Sequence, residues 1–260
     1  MVLINNMQFS DAPWHHGVLC ANTEEEFINS DDKKHFDINS RDPVYYEYFK
    51  QHGWLEPRAI TYKINSHGFR CDEFDTDLDS LVALGCSFTM GIGLPLQDTW
   101  PQLVGKALNL KPYTLAWGGS SADTCFRLAE YWIPRLKPKL VVMLTPPYAR
   151  FELLTGSGTV PAEVFLPNSE SDWPREFDSY LKHWFTNEDN AGINSRKNKL
   201  AIMALCNGLK IPCLIQDSND HMSWSREKIG YARDRMHAGT RGHELLTEKI
   251  VNEWHKNNYT

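Results

Sequence analysis

The chain has 260 residues, of which 42% are hydrophobic and 23% are charged, an ordinary composition for a globular protein. A net charge of −6 with no basic cluster argues against nucleic-acid binding. No apolar run approaches the ~20 residues that a membrane-spanning helix needs. The N-terminus lacks a basic start followed by an apolar core, and the six cysteines form no C-x-x-C pair. We therefore expect a cytoplasmic protein without a disulfide scaffold.

Residues 1–75 are predicted to form an extension that packs on the main body. They are irregular and rich in Asn, Asp, His and aromatic residues. The segment 42–54 predicts a helix, and the alternation over 59–69 predicts an edge strand or part of a hairpin. His15 and His16, near the terminus, are predicted to be solvated.

Residues 76–260 are predicted to form one α/β domain. Short, continuously apolar segments predict strands at 80–86, 113–117, 139–145 and 212–217. Helices are predicted at 100–109, from 121 to 136, at 195–207 and at 241–256. Strands that are apolar throughout and alternate with helices are typical of a parallel sheet covered on both faces. The expected fold is a flavodoxin-like, three-layer α/β/α arrangement.

An insertion at about 146–194 has no clear period and is too long for a simple loop. The interpretations left open are a small core of its own, a lid, or a platform for sugar rings. Its aromatic residues are Phe151, Phe165, Trp173, Phe177, Tyr180, Trp184 and Phe185.

Ser87 ends the first predicted strand and begins a turn toward a helix, so its side chain and its backbone N–H can face one space. A hydroxyl becomes a nucleophile when a base removes its proton, and the base needs an acid that orients it. Asp234 and His237 are close enough in sequence to share a tight turn and to provide these two groups. Gly118 follows the second strand, and its N–H can approach a ligand closely.

The segments GCSFTMGIG (85–93), AWGGSS (116–121) and ARDRMH (232–237) resemble the first, second and last motif blocks of the SGNH (GDSL-type) hydrolases. INSHGFR (64–70) is similar to a segment that precedes the first block in some members. The resemblance covers roughly residues 80–250. It implies that Ser87 is the nucleophile, that Asp234 and His237 complete the triad, and that the N–H groups of Ser87 and Gly118 bind the oxyanion. Gly119 is the alternative to Gly118.

The sequence departs from the family pattern at three places. Cys86 replaces the common aspartate of the first block, and Ala238 follows the histidine where a proline is common. The third block usually supplies an asparagine side chain to the oxyanion hole, but here it is LTPPYAR (144–150), without asparagine. Tyr148 and Arg150 are the nearest polar candidates to replace that donor.

The resemblance implies a serine esterase that needs no cofactor and acts on a small acyl ester, with acetyl on a carbohydrate as one option. An acyltransferase of the same fold and an inert binding or structural protein are the alternatives. The oligomeric state stays open.

His243 lies six residues beyond His237 and is expected to have a surface or packing role. A metal site built from Asp217, Asp220 and His221 with the Asp234–His237 pair is a less favoured alternative to the triad, because it leaves the Ser87 segment without a purpose.

Overall fold

The computed structural model describes residues 13–154, 162–165, 182–184, 187–218 and 230–257. Its strands are β1 (Glu24–Glu25), β2 (Tyr62–Lys63), β3 (Ser80–Gly85), β4 (Lys111–Ala116), β5 (Leu140–Thr145), β6 (Phe151–Leu154), β7 (Ala162–Phe165) and β8 (Cys213–Asp217). Its helices are α1 (Lys33–Asn39), α2 (Pro43–Gln51), α3 (Ser87–Met90), α4 (Trp100–Leu108), α5 (Ala122–Leu136), α6 (Glu188–Gly208) and α7 (Thr240–Lys256).

The central sheet has four parallel strands in the order β4-β3-β5-β8. The first strand of the sheet along the chain, β3, lies between β4 and β5, so the sheet has the strand order of a flavodoxin-like fold. Every residue of β3 and β5 is buried. The predicted fold class, α/β with a parallel sheet, is therefore confirmed.

Helices cover both faces of the sheet because successive side chains of a strand point to opposite faces. Val82 and Leu84 of β3 belong to the core under α5 and α6. Leu81 and Ala83 belong to the core under α4 and α7. The result is the predicted three-layer arrangement.

Most predicted elements are confirmed, with differences at their ends. α6 begins at Glu188, before the predicted start at 195, because the Asn187 side chain accepts the N–H of Asp189 and caps the helix there. The alternating segment at 59–69 forms only the short strand β2, which pairs antiparallel with β1.

The described part of the insertion contains an antiparallel hairpin of β6 and β7. Phe151 is buried, and its ring centroid lies 4.4 Å from that of Trp184. Trp173, Phe177, Tyr180 and Phe185 lie outside the described residues. The choice between a separate core, a lid and a sugar platform stays a hypothesis.

Residues 13–75 share a hydrophobic core with segments on either side of the candidate site. This core contains Phe49, Trp54, Ile60, Tyr62 and Ile64 from the extension, Met90, Ile92 and Leu94 after Ser87, Ala116 and Trp117 at the end of β4, and Ala232 before Asp234. The expectation that His15 is solvated is wrong: it is 3% exposed, and its ring stacks on Phe69 at 4.2 Å. The domain limits at 75 and 76 stay a prediction.

All six cysteines are free thiols. None of the helices in the described ranges is long and apolar enough to cross a membrane.

Candidate active site

Ser87 lies at the carboxyl end of the central strand β3, where the chain turns into the short helix α3. As the first residue of that helix, it has an N–H group without an acceptor inside the helix. The residue is buried, and its hydroxyl contacts Cys86 Sγ at 4.0 Å. Its position agrees with the predicted strand end.

Asp234 and His237 form a direct hydrogen bond. His237 Nδ1 lies 2.5 Å from Asp234 Oδ2. An ionised carboxylate can only accept hydrogen bonds, so Nδ1 carries the proton and Nε2 keeps its lone pair when the imidazole is neutral. The pair can thus present a basic nitrogen, as the sequence predicts for an oriented base.

The surroundings of Asp234 keep it ionised. Its Oδ1 accepts the N–H groups of Met236 and His237 at 3.0 and 3.1 Å, and its Oδ2 also accepts the Ser30 hydroxyl at 2.7 Å. Burial by itself raises the pKa of the Asp234 carboxyl, but its hydrogen bonds to His237 and Ser30 outweigh burial, and the pKa lies below its ordinary value. The carboxylate is therefore charged at neutral pH.

The segment after Ser87 touches the segment that carries Asp234. Arg233 donates its backbone N–H to the Gly93 carbonyl at 2.9 Å. Gly93 has a φ of +77°, and a Cβ there would lie 2.8 Å from Ala232 Cβ and 3.1 Å from Asp234 N. Glycine is required because it adopts this conformation and lets the two segments approach.

Ser87 and His237 are brought to the same side of the sheet without a direct hydrogen bond between them. Phe88 packs edge-on against the His237 ring, with ring centroids 4.8 Å apart. The contact described for the Ser87 hydroxyl is the one with Cys86 Sγ at 4.0 Å. The two predicted segments therefore meet through Phe88 and His237.

Gly118 lies two residues beyond β4, whose last residue Ala116 pairs with Gly85. A Cβ on Gly118 would lie 2.9 Å from Asn29 Nδ2, so an extension residue lies directly against this glycine. Gly119 has a φ of +85° and open space around it. Of these two glycines, Gly118 is the one with a close neighbour that its lack of a side chain accommodates.

A buried polar network holds the extension against the site. Arg233 and Asp31 form an ion pair at 2.7 Å that is almost fully buried. Arg233 also donates to the Glu26 carbonyl. Tyr62 donates its hydroxyl to Asp31 at 2.5 Å and accepts the Gly93 N–H at 2.8 Å. The network thus connects the extension with both segments of the site.

Arg70 fixes the loop that comes after α3. Its buried guanidinium donates to the carbonyls of Met90, Gly91 and Leu94, and to that of Thr61 in the extension. Burial lowers the pKa of Arg70 to about 10, so the side chain stays charged at neutral pH. Its role is to position the loop.

The sequence carried a signal for only some of these residues. Arg70 lies in the INSHGFR segment that resembles the family, and Arg233 lies within the last motif block. Asn29, Ser30 and Asp31 have no motif or period that distinguishes them. Sequence reasoning missed these three because their partners are about 90 to 200 residues away.

The other candidates occupy different places. His243 is buried and accepts the Trp100 N–H at 2.9 Å, which is the predicted packing role. Arg150 donates to the Ser120 carbonyl at 3.4 Å, and Tyr148 is largely exposed.

No group of three or more His, Cys, Asp or Glu side chains in the described ranges could hold a metal ion. Asp220 and His221 lie outside those ranges, whereas Asp217 is described and lies near Lys199 at 3.9 Å.

No protein-family model matches the sequence, and the search of curated proteins gave no match. Solved structures do resemble the chain. A protein from Desulfitobacterium hafniense DCB-2 assigned to the lipolytic G-D-S-L family is 14% identical, with a TM-score of 0.36, over 67% of this chain and 98% of that one.

Two of the similar structures are described as carbohydrate esterases. The acetyl xylan esterase Est2A from Butyrivibrio proteoclasticus is 12% identical, with a TM-score of 0.38, over 73% of this chain and 66% of that one. A family two carbohydrate esterase from Clostridium thermocellum, in complex with cellohexaose, is 13% identical, with a TM-score of 0.37, over 70% of this chain and 66% of that one. At such values neither carries an argument about activity here. By their descriptions, these three structures are one G-D-S-L family protein and two carbohydrate esterases, and the likeness is one of fold.

Proposed function

We propose that the protein is a serine esterase that cleaves a carboxylic ester through an acyl-enzyme. The observation that carries the proposal is the Asp234–His237 hydrogen bond of 2.5 Å, which leaves the second imidazole nitrogen as a base beside the segment that carries Ser87. An oriented imidazole and a serine at the end of a parallel strand are the groups that acyl transfer needs.

In the proposed first step, the Ser87 hydroxyl forms a hydrogen bond with His237. His237 Nε2 takes the hydroxyl proton while Oγ forms a bond to the ester carbonyl carbon. The negative Asp234 stabilises the imidazolium that results. The N–H groups of Ser87 and Gly118 are proposed to bind the carbonyl oxygen as it becomes negative.

The first tetrahedral intermediate then collapses: the His237 imidazolium gives its proton to the leaving alcohol as the ester C–O bond breaks, which leaves the acyl group on Ser87. His237 then takes a proton from water, whose oxygen attacks the acyl carbon. Collapse of this second intermediate releases the acid and returns the proton to Ser87. The cycle balances without a cofactor.

Labelling with a fluorophosphonate and hydrolysis of p-nitrophenyl acetate test the proposal. We expect stoichiometric labelling at Ser87, and we expect Ser87→Ala to lose both labelling and hydrolysis while its melting temperature is unchanged. Ser40→Ala is a matched control, because the Ser40 hydroxyl bonds locally to the Asp37 carbonyl in α1. A folded, active Ser87→Ala variant would refute the proposal.

The family resemblance further suggests a small acyl group, with an acetylated carbohydrate as one substrate class. A panel of esters from acetyl to long-chain, together with acetylated sugars, tests this choice. Adding a polyol and measuring the acylated product distinguishes hydrolysis from transfer to a sugar hydroxyl.

A further inference from the structure

The extension places a tight turn at the candidate site. Ile28 and Asp31 exchange backbone hydrogen bonds of 2.9 and 3.0 Å, so Asn29 and Ser30 form the tip of a two-residue turn. Asn29 adopts a φ of +54°, a left-handed conformation that asparagine tolerates better than most residues. The sequence therefore suits the turn that it forms.

The two tip residues face the two halves of the site. Asn29 Nδ2 lies against Gly118, 2.9 Å from where a Cβ of that glycine would be. The Ser30 hydroxyl donates to Asp234 at 2.7 Å. One turn thus spans the space between the proposed oxyanion donor and the proposed triad acid.

The strand register places Gly118, which Asn29 contacts, next to Ser87. Gly85 of β3 pairs with Ala116 of β4, and Ser87 and Gly118 each come two residues later. Neighbouring strands lie about 4.8 Å apart, so these two residues leave the sheet side by side. A side chain that touches Gly118 is consequently close to the position where the oxyanion would form.

The Asn29 amide is available to donate. Its side chain makes no hydrogen bond to any residue in the part of the chain that the structure describes. The third motif block has no asparagine to act as such a donor, and Pro146 and Pro147 have no backbone N–H. Arg150 points its Nη1 to the Ser120 carbonyl.

We propose that Asn29 is a catalytic residue whose side-chain N–H binds the oxyanion as a third donor beside the N–H groups of Ser87 and Gly118. This proposal rests on the esterase function proposed above. The extension would thereby supply the amide that the third block lacks. The buried Asp31–Arg233 ion pair anchors the turn next to this amide.

The test compares substitutions of Asn29 in the full chain, using p-nitrophenyl acetate. Asn29→Gly removes the amide without strain at positive φ, and we expect kcat to fall about 100-fold with little change in KM. Asn29→Asp keeps the shape but replaces the donor by an acceptor and adds negative charge, so it should lose at least as much. Asn22→Gly is the matched control, because Asn22 also has a positive φ of 61° in the extension but lies away from the site.

The outcomes separate the two proposals. If Ser87→Ala is inactive but both Asn29 variants keep kcat within threefold of the wild type, Asn29 is not an oxyanion donor and the esterase proposal stands. If the wild type is inactive, or Ser87→Ala stays active, both proposals fall. Should Asn29→Gly not fold, the isosteric Asn29→Asp decides, and an unchanged kcat in that folded variant overturns the assignment.

Discussion

Asp234 and His15 show how burial acts on single titratable residues with different results. Hydrogen bonds from His237 and Ser30 compensate Asp234 for burial and keep its pKa low. For His15, one hydrogen bond of the ring to the His67 carbonyl, at 3.1 Å, does not offset the effect of burial on the pKa. Burial therefore lowers the pKa of His15 to about 4. The first residue is held charged in the fold, and the second is held neutral.

The low pKa of His15 predicts a loss of stability in mild acid. The unfolded chain takes up a proton near pH 6.5, whereas the folded chain does so near pH 4, so the free energy of unfolding should decrease as pH falls between these values. The full effect is at most about 3 kcal/mol. In His15→Gln, urea denaturation at pH 7 and pH 4.5 should show a smaller difference than in the wild type. The exposed neighbour His16→Gln is the control, and equal pH dependence in all three proteins would contradict the expectation.

At the scale of elements, the loop after α3 brings the serine segment to the Asp–His turn. Gly93 makes the contact at positive φ, and Tyr62 and Arg70 of the extension form hydrogen bonds to the loop. The extension therefore determines where the loop beyond the short helix α3 lies.

Gly93→Ala should reduce both the stability of the protein and its proposed esterase activity. The added Cβ costs about 1–2 kcal/mol in the left-handed conformation and also pushes against Ala232 and Arg233 N. Gly53→Ala is the control: its φ is +69°, but nothing lies within 4 Å, so it meets only the conformational cost. Melting temperatures and kcat/KM measured for both variants check this. Equal losses of activity in the two would show that the close approach at Gly93 has no role in the site.

Elements whose signals are local could be predicted, and contacts between distant segments could not. Apolar runs identified β3 and β5, and the apolar face of α5 with the Ser121 cap fixed that helix. The start of α6 was missed because its first turn is polar and its cap is a side-chain bond at Asn187. The motif segments indicated where Ser87, Asp234 and His237 lie, and their roles stay a proposal.

At the scale of the whole molecule, the extension and the C-terminal part of the chain form one unit around the site. The Asp31–Arg233 ion pair joins residues separated by 202 positions, and both side chains are nearly inaccessible. The aromatic rings of Phe27 and Phe36 lie near the Arg233 guanidinium, at 4.7 and 5.4 Å. This buried pair makes the extension and the C-terminal part of the chain dependent on each other. If one charge is removed, no water can reach the other to solvate it.

Asp31→Ala should lower the free energy of unfolding by about 3–5 kcal/mol, because it leaves Arg233 buried without a counter-charge. The combined change Asp31→Leu with Arg233→Met removes both charges and should recover part of that loss. Asp37→Ala breaks the exposed Lys33–Asp37 pair and should cost less than about 1 kcal/mol. Urea denaturation measures all three. A loss in Asp31→Ala no larger than in Asp37→Ala would contradict the role assigned to the buried pair.

The bond from Ser30 to Asp234 spans 204 positions, and this separation sets the order in which a newly made chain can complete the candidate site. The parallel strands β3, β4 and β5 can pair while the rest is still being synthesised, but the acid and base emerge from the ribosome far later than the turn that supports them. Closing so long a loop costs entropy before any contact offsets it. We therefore expect the nascent protein to hold paired strands β3, β4 and β5 and an incomplete candidate site until the segment that carries residue 237 has emerged.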